Sequence, residues 1–547
     1  MASNSSPTSI RQQVGVCEVA FDDLFITNAV PSQVQASCLR YRSSMIARQL
    51  AFLADCAARL TEEDRAHRSA LSPVRRLPLE VLGEIFKLVV PSFLNASDRE
   101  MMGNMGRVCQ RWRDALLNAS SLWRGIILGP CLCPAQDTVG AVRRHEEDYK
   151  KLVTWFGRSG GCRKGLIYSS VDLHCRCDDG SLCKAVHPIV SRLINEGPKL
   201  VHLTLQLSGA SCFRNLLAAL RAEPGGSPPD PLASLGSFSL EFVDDSPLMW
   251  DDGPDPTSSV FNLLPPVPAL GIFLPLRESA FDDELASLEC PIHIPPTILA
   301  PLVSLAIRWD WEGRGLLDVL EQCIALDSFT LDLARSEPFD GDVPPAPLEL
   351  RVLTSFKLVK GGVRILDFLR TPALTSLDLE LSVDRAATVD MSDRLDGFLR
   401  ASEILGKLRF LRICELVGGP GIISFILPPL ASLRHLVLDS STACGYYFGQ
   451  ASTGHVIAPM RRYFPELRQV ELLNLRRSRH VLTHEMQYFR RRGSAGMCMI
   501  TVSYADEPKV SEAELQSRLR STRDSGSRLS IRVVESVDYD EERALTL

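Results

Sequence analysis

Leu77–Phe86 reads LPLEVLGEIF and Val108–Trp123 reads VCQRWRDALLNASSLW, and the apolar spacing across Leu77–Trp123 decides how the chain is organised. Pro78 suits the opening turn of a helix, where its missing N–H costs nothing. Glu80 then lies beside the positive end of that helix's dipole. Leu82, Ile85, Phe86 and Val89 follow at i, i+3, i+4 and i+7, one apolar stripe, and Pro91 ends the run. Ser97-Asp98-Arg99-Glu100 has the form of a capping box and opens a second helical region. Val108, Trp112, Ala115 and Leu116 make a further stripe, with Leu122 and Trp123 beyond it. Helices this short carry more apolar surface than so small a unit can hide alone, which predicts a docking face.

Downstream, the chain repeats itself as L-x-x-[LF]-x-[LI]. The copies are Leu200, Leu203, Leu205; Leu235, Phe238, Leu240; Leu302, Leu305, Ile307; Leu326, Phe329, Leu331; and Leu353, Phe356, Leu358. Four more follow: Leu374, Leu377, Leu379; Leu408, Leu411, Ile413; Leu433, Leu436, Leu438; and Leu467, Val470, Leu472. A degraded copy is expected near Leu270, in the gap before Leu302. The L-x-L pair puts alternate side chains on one face of a strand, so stacked copies bury a leucine column. Helix-like segments lie between copies at Ala185–Asn195, Cys212–Ala222, Leu316–Cys323, Arg364–Arg370 and Arg394–Leu405. Strand-then-helix repetition predicts a parallel sheet.

Two resemblances follow from these residues. Leu77, Pro78, Glu80, Val81, Leu82, Ile85 and Phe86, then Val108, Cys109, Trp112, Leu116, Leu122 and Trp123, occur in the order LP-x-E-[VI]-L-x-x-IF, VC-x-x-W, LW. That pattern resembles the F-box, the module that binds the Skp adaptor of cullin–RING ubiquitin ligases. One departure is Ser92–Gly106, longer and richer in Met and Gly than a compact F-box has. The downstream units resemble a leucine-rich-repeat array, lacking the usual Asn three residues past L-x-L; Ser208, Ala334 and Ser382 stand there instead. The order is that of fungal-type F-box-like substrate receptors of SCF ubiquitin ligases. The resemblance implies an adaptor without catalytic residues or cofactor: the thirteen F-box positions dock the Skp adaptor and through it a cullin–RING, and the array holds an unknown protein substrate. A scaffold that transfers no ubiquitin is the alternative.

The expected fold class is α/β: an N-terminal helix and a small all-α F-box, followed by an irregular leucine-rich-repeat solenoid with its parallel sheet bent into a horseshoe. Residues 1–32 are an N-terminus without sustained periodicity and 33–71 an amphipathic helix. The F-box covers 72–128, a connector 129–161, the array 162–475, and a C-terminal cap and tail 476–547. In the helix, Leu39, Ile46, Leu50, Leu53, Ala57 and Leu60 recur by fours and threes. They fit a coiled coil joining two copies, though one helix lying against the F-box is preferred. On the array's concave side, strand alternation turns outward Thr204, Gln206, Arg308, Thr330, Asp332, Lys357, Asp378, Glu380, Arg412 and Glu471, the candidate substrate contacts. Their mixed charges imply no sign for the ligand.

At 547 residues with 45% hydrophobic content, the chain has material for a large core. A net charge of −6 gives no global drive towards nucleic acid or anionic membrane. No apolar run reaches bilayer length, and MASNSSPTSIRQQ lacks the apolar region of a signal peptide. A cytoplasmic or nuclear protein with its sixteen cysteines reduced is expected.

Other chemistry is weaker. Gly157-Arg-Ser159-Gly-Gly161 fits the nucleophile-elbow pattern G-x-S-x-G, but lacks the strand before it and the helix after it, so a glycine linker is favoured. His174, Cys175, Cys177, Cys183 and His187 could ligate zinc, in a spacing that matches no strong signature. The arginines of Arg461–Arg492 lack interleaved aromatics, which argues for a solvated rim rather than a nucleic-acid platform.

Overall fold

The computed structural model describes residues 25–26, 29–130, 138–170, 183, 185–221, 232–242, 255–275, 292–309, 314–333, 346–381, 388–414, 427–439, 464–475, 498–504, 513 and 529–534. The chain divides into two compact units, Met1–Leu82 and Gly83–Leu547.

The first unit is dominated by one uninterrupted helix, α1 (Gln33–Leu71), 39 residues long. It holds neither Gly nor Pro, and the i,i+3 and i,i+4 pairs Arg65–Glu62 (3.6 Å) and Arg68–Asp64 (2.9 Å) support its last turns. Leu39 is half-buried, while Ile46, Leu50, Leu53 and Leu60 are all exposed. A 3₁₀ turn at Pro73–Arg76 then redirects the chain, and α2 (Leu79–Val89) begins immediately after Pro78, as proline at a helix start allows.

The second unit takes up α2 from Gly83 and adds α3 (Ala96–Val108) and α4 (Gln110–Asn118), then a 3₁₀ turn at Ser120–Trp123. The second helix starts earlier than its sequence suggests. Asn95, not Ser97, is the N-cap: its side chain accepts from the Asp98 amide (2.9 Å), and the Asp98 carboxylate accepts from the Asn95 amide (3.0 Å). Cys109 is extended (φ −163°, ψ 168°), so Val108 ends one helix and Trp112 lies on the next, instead of sharing a stripe.

Among the described residues after Trp123, fourteen strands form one parallel sheet, in which each strand pairs with the next one of that sheet along the chain. In order these are β1 (Gly125–Leu128), β2 (Gly165–Ser169), β3 (His202–Leu207), β4 (Ser237–Phe242), β5 (Ala269–Phe273), β6 (Ser304–Arg308) and β7 (Ser328–Asp332). β8 (Leu348–Glu349) and β10 (Leu369–Arg370) pair with each other outside this sheet. The large sheet continues through β9 (Ser355–Gly361), β11 (Ser376–Leu381), β12 (Phe410–Cys414), β13 (His435–Asp439), β14 (Gln469–Leu475), β15 (Cys498–Tyr504) and β16 (Leu529–Val533). The strand at Ala269–Phe273 sits where the degraded copy was expected. β1 and β2 come from segments with no repeat signature. β15 and β16 prolong the same ladder.

The register puts Leu203, Phe238, Leu270, Leu305, Phe329, Phe356, Leu377, Leu411, Leu436 and Val470 in one inward row, all buried. The rings of Phe329 and Phe356 stack within it at 5.5 Å and 5°. Returning segments cover this face: α5 (Thr138–Arg158), α6 (Pro188–Asn195), α7 (Ala210–Arg221), α8 (Pro296–Leu299), α9 (Gly315–Glu321) and α10 (Thr388–Ala401), with 3₁₀ turns at Val260–Leu263 and Val363–Phe368. Residues 364–370, expected as helix-like, are that second turn followed by β10.

A backbone hydrogen-bond pattern recurs from strand to strand. Just before a strand, one carbonyl accepts two successive amides of the next strand's start. Val303 O takes Asp327 N and Ser328 N, Asp327 O takes Thr354 N and Ser355 N, and Thr354 O takes Thr375 N and Ser376 N. Thr375, Arg409 and Arg434 repeat the pattern, all at 2.8–3.1 Å. Each such carbonyl thereby satisfies two amides of the next strand's start.

Phe356→Ala should lower stability by about 3–5 kcal/mol, because it empties a fully buried position and unstacks Phe329. Chemical denaturation of the whole chain measures this, and a loss under about 1 kcal/mol would contradict the packing described.

Candidate docking surface

The residues expected to dock an adaptor sort by burial. In the first unit, Pro78, Glu80 and Val81 are exposed and Leu77 is half-buried, whereas Leu82 is buried. Glu80 stands in the first turn of α2, where a carboxylate complements the helix dipole.

In the second unit, Phe86 is buried and meets the half-buried Trp112 edge to face, with centroids 5.1 Å apart. Leu116, Leu122 and Trp123 are also buried, and the Trp123 indole N–H donates to the Leu116 carbonyl at 2.8 Å. Leu82, Phe86, Leu116, Leu122 and Trp123 are therefore interior residues; truncating them acts through stability. Ile85, Val108 and Cys109 are exposed. Leu88 (83% exposed), Val89 and Leu117 add apolar surface, and of these only Val89 had been placed on a stripe. The signal for Leu88 was present at i+3 from Ile85. Helix α2 is apolar on two flanks, and one stripe cannot account for both.

The helices are built into the sheet. Leu94 bridges β1: its amide donates to Gly125 O (3.3 Å) and its carbonyl accepts from Ile127 N (2.9 Å). The Arg99 guanidinium donates to both the Leu94 and Ile127 carbonyls, at 2.8 and 3.0 Å. Gly125 is required by this closeness, since a Cβ there would stand 2.2 Å from the Ser92 carbonyl oxygen. Beyond the strand, Trp155 of α5 packs on Trp123 at 4.5 Å and Arg158 lies over the same ring at 4.6 Å.

An F-box-like family model matches residues 74–128 of this chain. No curated protein matches it. The matched span covers the helices just described and ends on the last residue of β1. An F-box-like domain supports an F-box protein. Such domains imply binding to a Skp-type adaptor in SCF complexes, and proteins that carry them are generally adaptors rather than enzymes.

The second group of candidates lies on the outward side of the sheet. Thr204 contacts His202 Nε2 at 3.0 Å, and Gln206 donates to Glu241 at 2.8 Å. Arg308 is held between Glu241 (3.4 Å) and Asp332 (3.2 Å), with Phe273 beneath it. Thr330, Lys357 and Glu380 are half-buried. Glu471 accepts from His435 Nε2 at 3.0 Å, which helps hold its carboxyl below the usual range against the upward pull of burial. Asp378 and Arg412 depart from the expectation of accessible residues. Both are buried, and Arg412 bridges Asp378 (3.3 Å) and Asp439 (3.0 Å). Alternation fixes the side of a sheet a residue faces, but not whether solvent reaches it.

Ser159 is fully buried, and its hydroxyl donates to the Phe156 carbonyl at 2.7 Å where α5 ends. Gly160 follows at φ +55°, so the G-x-S-x-G stretch is a helix terminus, not an elbow. His187 caps α6 by accepting the Ile189 amide (3.1 Å), and burial followed by the neighbouring His145 lowers its pKa to about 4. Cys183 is half-buried; His174, Cys175 and Cys177 lie outside the described residues. No group of residues able to hold a metal occurs among the described residues. The arginines of Arg461–Arg492 are outside them too, apart from Arg468. No helix among the described residues is long and apolar enough to cross a membrane.

Arg412→Met should cost about 3–5 kcal/mol, because it strands two buried carboxylates. Unfolding near neutral pH measures it. An unchanged midpoint would show that the three charges are not buried together.

Proposed function

We propose that this protein is the substrate-recognition subunit of an SCF-type ubiquitin ligase. The observation that carries the proposal is the F-box-like span at 74–128, whose helices leave Ile85, Leu88, Val89 and Val108 exposed and so forgo the gain of burying apolar surface. In this account those residues, with Cys109 and Trp112, dock a Skp-type adaptor and through it a cullin–RING. Leu77, Pro78, Glu80 and Val81 of the first unit are expected to contribute their own contacts.

The fourteen-stranded sheet is read as an irregular leucine-rich-repeat solenoid. The in-register inward row and the repeated carbonyl that serves two amides support that reading. Its outward face would hold a protein substrate. Ser237, Ser304, Ser328, Ser355 and Ser376 line one outward row, so a partner's backbone can come close. Gln206, Glu241, Arg308 and Asp332 form a polar margin able to hydrogen-bond it in a fixed register. The chain itself supplies no catalytic group. It raises the effective concentration of substrate lysines at a ubiquitin-charged enzyme, in the cytoplasm or nucleus.

Leu88→Asp combined with Val108→Asp should abolish co-purification of a Skp-type adaptor and cullin, at least tenfold in recovery, with little change in the thermal midpoint, since these side chains are 83% and 61% exposed. Retained adaptor would refute the docking surface. Adaptor recovered without cullin would refute the ligase role and favour a scaffold.

A further inference from the structure

The long helix α1 presents a second apolar surface that the proposed adaptor docking does not use. Leu39, Ile46, Leu53 and Leu60 recur at intervals of seven, and Ala36, Ser43, Leu50 and Ala57 supply the companion positions three residues earlier. This is a heptad seam with period 3.5. Ile46, Leu50, Leu53 and Leu60 along it are 55–65% exposed. A single helix about 58 Å long with such a seam in water lacks the partner that a heptad pattern specifies.

We infer that the partner is a second copy of this chain, paired antiparallel through α1. Charge selects both the identity and the direction. Residues 33–54 contain Arg40, Arg42 and Arg48 and no acid, while all four acids of the helix, Asp55, Glu62, Glu63 and Asp64, lie in residues 55–71, where Arg59, Arg65 and Arg68 leave a net charge of −1. Parallel pairing sets the basic starts side by side; antiparallel pairing sets each start against the stretch that holds the helix's acids and has no net positive charge. Placing Leu50 across from Leu53 of the other copy fixes the register. Ile46 then faces Ala57 and Leu60 faces Ser43, so large side chains meet small ones on both sides of the centre. The same register brings Arg42 opposite Glu63, twice by symmetry, at positions that flank the seam. Asp55, Glu62 and Asp64 are paired within the helix, with Arg59, Arg65 and Arg68. Glu63 has no ion pair among the described residues and is the acid free to cross the interface.

Sedimentation of the full chain over a roughly hundredfold concentration range should show a monomer–dimer equilibrium. Leu50→Glu with Leu53→Glu should leave only monomer and still co-purify the Skp-type adaptor, which separates this seam from the adaptor surface. Arg42→Glu and Glu63→Arg should each weaken self-association about tenfold, since each creates two like-charge contacts. An equimolar mixture of these two variants should dimerise as well as wild type, because opposite charges meet again at both ends. A wild-type chain that stays monomeric, a mixture no better than either variant, or loss of adaptor with the Leu50/Leu53 variant would each overturn the inference. The first would mean that the seam is covered within one chain, the second that the helices run parallel, and the third that the seam belongs to the adaptor.

Discussion

The parallel pairing of β1 is the constraint on which the second unit depends. Gly125–Leu128 is at once the end of the F-box-like span and the first strand of the sheet. Leu94 and Arg99 bind it from the helical side, and Gly165–Tyr168 from the sheet side. From Gly83 on, the helical module and the sheet share backbone hydrogen bonds, so no flexible linker lies between β1 and the helices. For a protein whose proposed task is to hold one partner at a set distance from another, rigidity at this junction matters more than the affinity of either contact.

Along the sheet, stability is local and repetitive. From β3 to β14 the strands of the large sheet bury two or more large apolar residues inward, and at many junctions one carbonyl serves two amides of the next strand. Because contacts run mainly between neighbours, insertions between repeats are tolerated as long as the strand and its preceding residue are kept. The irregular spacing of the repeats, from 21 to 34 residues after Leu302, is accommodated in this way.

Much of this was legible in the sequence. The L-x-x-[LF]-x-[LI] copies fall on β3, β4, β6, β7, β9 and β11–β14, because period-two burial against a single core is the strongest local signal a strand carries. Gly125–Leu128 and Gly165–Ser169 were not legible as strands of the same sheet. Short runs such as GIIL have no alternation, and their pairing is decided by Leu94 and by the next strand. The cap at Asn95 was missed because Asn95 and Ser97 are both capable N-caps, and the position of Asp98 three residues on decides between them. For the docking residues, the sequence located the module but not the inward flank of α2. Leu82 and Phe86 face in, Val81 and Ile85 face out, and a helix apolar on both flanks carries no mark of which is which. The burial of Asp378 and Arg412 could not be read from strand alternation, which fixes the side a residue faces but not its exposure.

In the proposed assembly, exposed residues of α2, the end of α3 and α4 face an adaptor, the outward face of the sheet a substrate and the seam of α1 a second copy. Hydrogen–deuterium exchange on the full chain, with and without a Skp-type adaptor, tests the first and central assignment most directly. Added adaptor should slow exchange across Leu79–Val89 and Gln110–Asn118 and leave β3 to β14 unchanged. Unaltered exchange in those two helices, or protection confined to the sheet, would contradict it.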